Sequence, residues 1–215
     1  MDDLHDVIVR SGGWLLRSQD KDSGGWGEQP GKPVNPLNTA EALIALLDGK
    51  VVDAGDSHVQ KGVKFLIARQ CKEGSDSGCW PRIEPGESGL CEVPDIVRTS
   101  FAMEALIKAG INVDAAPVKS AVDWLFSIRN ADNGWGYRRN VPSVVTATGF
   151  ALLALLKIHE ADHPNPKREE LINPSLKFLR SFQTPRGSFG QEGPAEALQT
   201  LGATLVLQAA RRLDR

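Results

Sequence analysis

Few residues of this 215-residue chain have types and spacings that could do chemistry. Cys71, Cys79 and Cys91 fall in one long loop, Cys71 to Pro94, with Asp76 three residues before Cys79. Such donors suggest zinc, which takes four deprotonated ligands in a tetrahedron. No histidine lies in that loop, so a convergent fourth ligand is missing and no metal or other cofactor is expected. His159 and His163 share one helix face, with Glu160 and Asp162 between them. Pro164 and Pro166 stop that helix at once, which makes a solvated helix end the better reading. Asp95 follows Pro94 and opens a helical run, where the helix dipole favours a carboxylate. Arg98 stands one turn on. The pair predicts a helix cap and a local ion pair.

The elements that position these residues come from a repeat. Four segments share one grammar: Trp14-Leu15 with Gln19, then Gly25-Trp26-Gly27; Phe65-Leu66 with Gln70, then Gly78-Cys79-Trp80; Trp124-Leu125 with Arg129, then Gly134-Trp135-Gly136; Phe178-Leu179 with Gln183, then Gly187-Ser188-Phe189. The closing aromatics stand at 26, 80, 135 and 189, so the period is 54 or 55 residues. Each segment is followed by an Ala/Leu-rich run containing Thr39, Thr99, Thr148 or Thr200. Those runs are apolar nearly all round, as in helices buried on both sides. The segments before them alternate polar and apolar residues, as in half-exposed outer helices. The reading is an all-α chain of four helical hairpins, about eight helices, in one domain over 1–215. Its repeats run approximately 1–54, 55–112, 113–166 and 167–215.

Composition narrows the function. Apolar residues make up 41% and charged residues 24%, which describes a folded chain and not a disordered one. A net charge of −2 argues against nucleic acid or an anionic membrane as the main partner. The longest uncharged stretch, Asn140 to Leu156, contains Pro142, Ser143 and Thr146 and is too polar to span a bilayer. The N-terminus is acidic, with no apolar core of signal-peptide length. Three cysteines are an odd number and make no disulfide framework, which fits a reducing compartment. A cytoplasmic location is expected.

The second repeat carries a basic residue, a small residue, an aromatic-Leu pair, Gln70 five residues after the aromatic, and Gly78-Cys79-Trp80. This resembles the QW motif of squalene and oxidosqualene cyclases, and the resemblance covers the chain in four copies. It implies the α/α-toroid fold that these cyclases share with protein prenyltransferase β subunits. Four hairpins are fewer than a closed toroid of those families uses, so an open or partial ring is expected. The physical reading of the motif is scaffold: each Gln donates to carbonyls at the end of its outer helix, and the following Trp covers that polar end.

The resemblance also implies where chemistry would lie. Class II cyclases take their general acid from an Asp-x-Asp-Asp-Thr-Ala motif at the start of an inner helix. Before the four threonines this chain has Asn35-Pro36-Leu37-Asn38, Asp95-Ile96-Val97-Arg98, Val144-Val145-Thr146-Ala147 and Glu196-Ala197-Leu198-Gln199. None has the paired aspartates, and Asp95, the weak candidate acid, is followed by Arg98. The zinc ligands of prenyltransferases are likewise incomplete. Phe101 and Phe150 hold equivalent positions on inner helices. They either line a cavity, where π faces stabilise cations, or pack between inner and outer helices. The expectation is a non-catalytic cyclase-like module that binds a protein segment or an apolar, isoprenoid-like ligand in its concave groove. The groove residues would be Asn35, Asn38, Glu41, Asp95, Arg98, Phe101, Thr146, Phe150, Glu196 and Gln199. An oligomer or a partner chain could complete the ring. The alternative is an enzyme of isoprenoid metabolism, or a subunit of one.

Overall fold

A computed structural model describes residues 4–82, 93–161, 166–190 and 196–213. Among these residues the chain forms eight helices: α1 (Leu4–Ser18), α2 (Pro36–Asp48), α3 (Ser57–Arg69), α4 (Ile96–Lys108), α5 (Ala116–Ile128), α6 (Val145–Ala161), α7 (Pro166–Ser181) and α8 (Glu196–Leu213). The sheet content is one antiparallel pair of two-residue strands, β1 (Pro81–Arg82) and β2 (Val93–Pro94). An all-α array of four hairpins is therefore the observed architecture.

Local sequence explains the helix starts. Asn35 caps α2 by accepting from the Asn38 N–H, and Pro36 follows it, where a missing N–H costs nothing. Asp56 caps α3 through the His58 N–H, and Asp95 caps α4 through the Arg98 N–H. The even-numbered helices form a row, α2 on α4, α4 on α6 and α6 on α8. Among the described residues α8 does not pack substantially back onto α2. The odd-numbered helices lie on the outside of this row. Leu43, Leu46, Met103, Leu106, Leu152 and Leu155 of the inner helices are fully buried.

The repeat motif is a hydrogen-bonding joint. In the first three loops the indole N–H of Trp26, Trp80 or Trp135 donates to an outer-helix carbonyl, that of Leu15, Leu66 or Leu125, at 2.7–2.9 Å. The backbone N–H of each aromatic donates to the threonine of the inner helix: Trp26 to Thr39, Trp80 to Thr99, Trp135 to Thr148 and Phe189 to Thr200, at 2.9–3.0 Å. The expected role of the glutamines is corrected here, because the tryptophans satisfy the outer-helix carbonyls. Gln19 Nε2 donates to Gly24 O in its own loop and to His58 O in the next outer helix. Gln70 Nε2 donates in the same way to Gly78 O and Pro117 O. The glutamine thus ties one hairpin to the next.

Arg129 replaces the third glutamine, and the structure shows what compensates. The loop carbonyl that would need the amide, Asn133 O, accepts from Ser175 Oγ of α7 at 2.6 Å. Arg129 Nη1 makes the link to the next outer helix, at Glu170 O. Two residues before each aromatic the backbone is left-handed: Gly24, Gly78, Asn133 and Gly187 have φ between 69° and 98°. Glycine and asparagine are the residues that tolerate this region.

Candidate functional site

The outer helices cover one side of α2, α4 and α6, and neighbouring inner helices cover the flanks. One stripe of each inner helix stays open, at a spacing of three to four residues: Val97, Phe101, Glu104 and Lys108 on α4, and Thr146, Phe150, Leu153 and Lys157 on α6. Glu41 and Asp48 hold the matching levels on α2. The middle of this surface is aromatic. The Phe101 and Phe150 rings lie 5.8 Å apart at 46°, each half-buried. The two rings therefore meet each other across the α4–α6 seam. The C-terminal edge of the surface is ionic, with Lys108 bridging Asp48 and Glu104. These three residues were absent from the expected groove. Their signal in the sequence was a shared offset of five or nine residues from Thr39 and Thr99.

At the other edge stand the helix starts. Asp95 Oδ1 accepts from the Arg98 N–H and Oδ2 from Arg98 Nη1, both at 2.9 Å. Cap and ion pair use both oxygens of the one carboxylate. Asn35 and Asn38 repeat the arrangement without charge, since Asn35 Oδ1 accepts from the Asn38 N–H and Asn35 Nδ2 donates to Asn38 Oδ1. Partial burial pushes the Glu41 carboxyl above the usual carboxylate range, and nearby Arg98 opposes that shift. Glu41 also lines a cavity of about 260 Å³ with Trp14, Trp26 and Asn38. Gln199 lies on α8 against Gly190, where a Cβ would collide with its amide. The Glu196 side chain lies outside the described residues, as do the side chains of His159, Glu160, Asp162 and His163.

The cysteines do not form the expected set of unbridged thiols. Cys71 is disulfide-bonded and Cys79 keeps a buried thiol, with its Sγ 3.6 Å from Cys71 Sγ. Burial first, and the Asp76 carboxylate second, push the Cys79 thiol up to about 12. Asp76 accepts from the Trp124 indole N–H at 3.0 Å and faces Arg139 at 3.6 Å. Cys91 lies outside the described residues. Among the described residues no three His, Cys, Asp or Glu side chains converge as a metal site. No helix among them is long and apolar enough to cross a membrane.

The tied hairpins and the open inner stripe can now be set beside known proteins. The family model of the squalene-hopene cyclase C-terminal domain matches residues 53–195, and that of the prenyltransferase alpha-alpha toroid domain matches residues 9–47. The chain belongs to the squalene-hopene cyclase C-terminal domain family. It is 32% identical over 146 residues to a squalene–hopene cyclase of Bradyrhizobium diazoefficiens, covering 63% of this chain and 20% of that protein. It is 27% identical over 216 residues to a squalene–hopene cyclase of Zymomonas mobilis, covering 89% of this chain and 31% of that protein. The chain thus spans a fifth to under a third of the squalene–hopene cyclases it matches. Among solved structures, Candida albicans protein geranylgeranyltransferase-I complexed with GGPP shares the fold. The match has a TM-score of 0.63 and 15% identity, over 91% of this chain and 54% of that one.

Proposed function

We propose that this chain is a non-catalytic α/α-toroid module of the squalene-hopene cyclase family. It binds an apolar, isoprenoid-like ligand along the inner face of its helices. The observation that carries the proposal is the Asp95–Arg98 pair. A carboxylic acid that protonates an alkene must keep its proton near neutral pH, through burial or a second carboxylate. Here Asp95 accepts two hydrogen bonds from Arg98, one of them charged. The equivalent places hold Asn35 and Asn38 before Thr39, Val144 and Ala147 before Thr148, and Glu196 and Gln199 before Thr200, so Glu196 is the one other acid and no copy has the paired aspartates. Phe101 and Phe150 supply the ligand surface, flanked by Val97 and Leu153. At about 0.8 kcal/mol per buried CH₂, one five-carbon unit laid on these rings contributes on the order of 4 kcal/mol before the costs of association. The ring pair favours hydrocarbon over a polar protein segment. Calorimetric titration with farnesol is the test. Saturable binding that weakens about tenfold or more in both Phe101→Ala and Phe150→Ala is expected. Binding that ignores both substitutions counts against this face.

A second reading is supported by the relatives' names: the chain would be part of a cyclising enzyme, with its acid supplied from elsewhere. Conversion of squalene separates the two readings. The sequence points to the cytoplasm, whereas the disulfide at Cys71 favours an oxidising compartment. Thiol titration of freshly isolated protein decides that question.

A further inference from the structure

The inner face carries a row of residues that the repeat sets at one level. Phe101 stands two residues after Thr99 and Phe150 two after Thr148, and the residue two after Thr39 is Glu41. Each threonine is pinned to the loop before its helix. The Trp26 N–H donates to Thr39 Oγ1, the Trp80 N–H to Thr99 Oγ1 and the Trp135 N–H to Thr148 Oγ1. The three inner helices are thereby held in one register, and α2 packs on α4 as α4 packs on α6. The row therefore reads Glu41, Phe101, Phe150. A carboxylate occupies the place where the next two helices present rings.

The surrounding charges decide what Glu41 can receive. Arg98, one turn before Phe101, acts on the Glu41 carboxyl across the α2–α4 seam. Its Nη1 donates to Asp95 Oδ2 at 2.9 Å, so its charge is already shared with a carboxylate beside its own helix. Two further carboxylates of the face, Asp48 and Glu104, both engage Lys108 at the C-terminal edge. Glu41 is exposed and stands at ring level, next to Phe101 in the row. An ionised carboxylate accepts hydrogen bonds and donates none. It repels a diphosphate, and its charge strengthens a hydrogen bond from an ammonium group. The neighbouring ring acts in the same sense, because an aromatic face attracts a cation.

We infer that the ligand of this face carries a terminal hydrogen-bond donor, an amine or an alcohol, which seats on Glu41 while its hydrocarbon chain crosses Phe101 and Phe150. Glu41 is thus a specificity residue that selects an isoprenoid amine or alcohol over an isoprenoid diphosphate. The inference rests on the ligand reading of the face and goes beyond it in naming the head group.

Calorimetric titration tests it with probes that share one hydrocarbon chain: farnesylamine, farnesol, farnesyl methyl ether and farnesyl diphosphate. The wild type should bind farnesylamine about fivefold or more tighter than the methyl ether, with farnesol between them and the diphosphate weakest. Glu41→Gln removes the charge, and Glu41→Phe installs the aromatic that the other two helices carry. Both change an exposed helix position, so circular dichroism should be unaltered. In both variants the amine-to-ether preference should fall below about twofold, because the charged acceptor is gone. Amine and ether that bind the wild type equally, while Phe101→Ala weakens both, overturn the head-group assignment and leave the hydrocarbon face standing. An amine preference that both Glu41 variants keep overturns it too, as does a diphosphate that binds the wild type more tightly than the ether. Where none of the probes binds, the ligand reading of the face has failed, and this inference with it.

Discussion

Replacing Gln70 by Leu keeps the side-chain volume nearly constant and removes the amide that ties the second hairpin to the third. Gln70 is buried, and its Nε2 lies 2.9 Å from Gly78 O, 2.7 Å from Pro117 O and 3.2 Å from Ser120 Oγ. Gly78 O is left without a donor in a buried place, at about 1–3 kcal/mol. Pro117 O lies in the first turn of α5 and keeps its helical partner, so its loss adds less. The expected cost is about 2–4 kcal/mol. Gln183→Leu removes one 3.3 Å bond from an exposed loop and should cost less than about 0.5 kcal/mol. Urea unfolding followed by circular dichroism reads both. With a slope of about 2 kcal/mol/M, Gln70→Leu should move the midpoint down by about 1–2 M while Gln183→Leu barely shifts it. Equal costs for the two substitutions would refute the view that the glutamine works by joining neighbouring hairpins.

Asp95→Asn should lower stability by only about 0.5–1 kcal/mol in the same assay, because asparagine caps helices well, as Asn35 does in α2, and only the charge pair with Arg98 is lost. Trp80→Ala should cost about 3–5 kcal/mol, with Phe189→Ala costing less because its hairpin has a neighbour on one side only; the reverse order in urea unfolding would contradict that placement. The Cys79 thiol should resist alkylation at pH 8 in the folded chain and react once the chain unfolds. Its folded pKa of about 12 lies above the unfolded thiol value, so its stabilising contribution is whole below about pH 8.5 and declines as pH rises from there toward 12. The wild type should therefore lose up to about 2 kcal/mol relative to Cys79→Ala between pH 7 and pH 10, and a constant gap between the two would contradict the burial argument.

How much of this was legible beforehand depended on how local each interaction is. The Asp95–Arg98 cap and ion pair could be read from the sequence because both partners lie within one helical turn. The hairpin count could be read because the aromatic positions recur every 54 or 55 residues. The glutamine's role was misread because half of its partners, His58 and Pro117, belong to the next hairpin, a distance of 39 or 47 residues. The threonines served only as register marks, although their fixed place in all four runs was a sign that their hydroxyls meet the closing aromatics. Ser175 and Arg129 divide one glutamine's work between two helices, and only the packed structure brings them together. The disulfide at Cys71 was hidden by an odd count, which a single bridge beside a buried thiol also satisfies. Phe101 and Phe150 were placed on the correct helices, but the rotation that brings the rings together is set by how α4 packs on α6.

The central claim is that the inner face holds an isoprenoid without converting it, and one measurement addresses it directly. The chain is incubated with squalene in D₂O, and the hydrocarbon is recovered and examined by gas chromatography with mass spectrometry. Cyclisation begun by an acid adds a solvent deuteron at one end of the polyene and releases a proton at the other, leaving one deuterium in a product of altered retention. The account predicts squalene recovered at unchanged mass and retention from the wild type and Asp95→Asn alike. A deuterated cyclic product from the wild type, absent with Asp95→Asn, would contradict it.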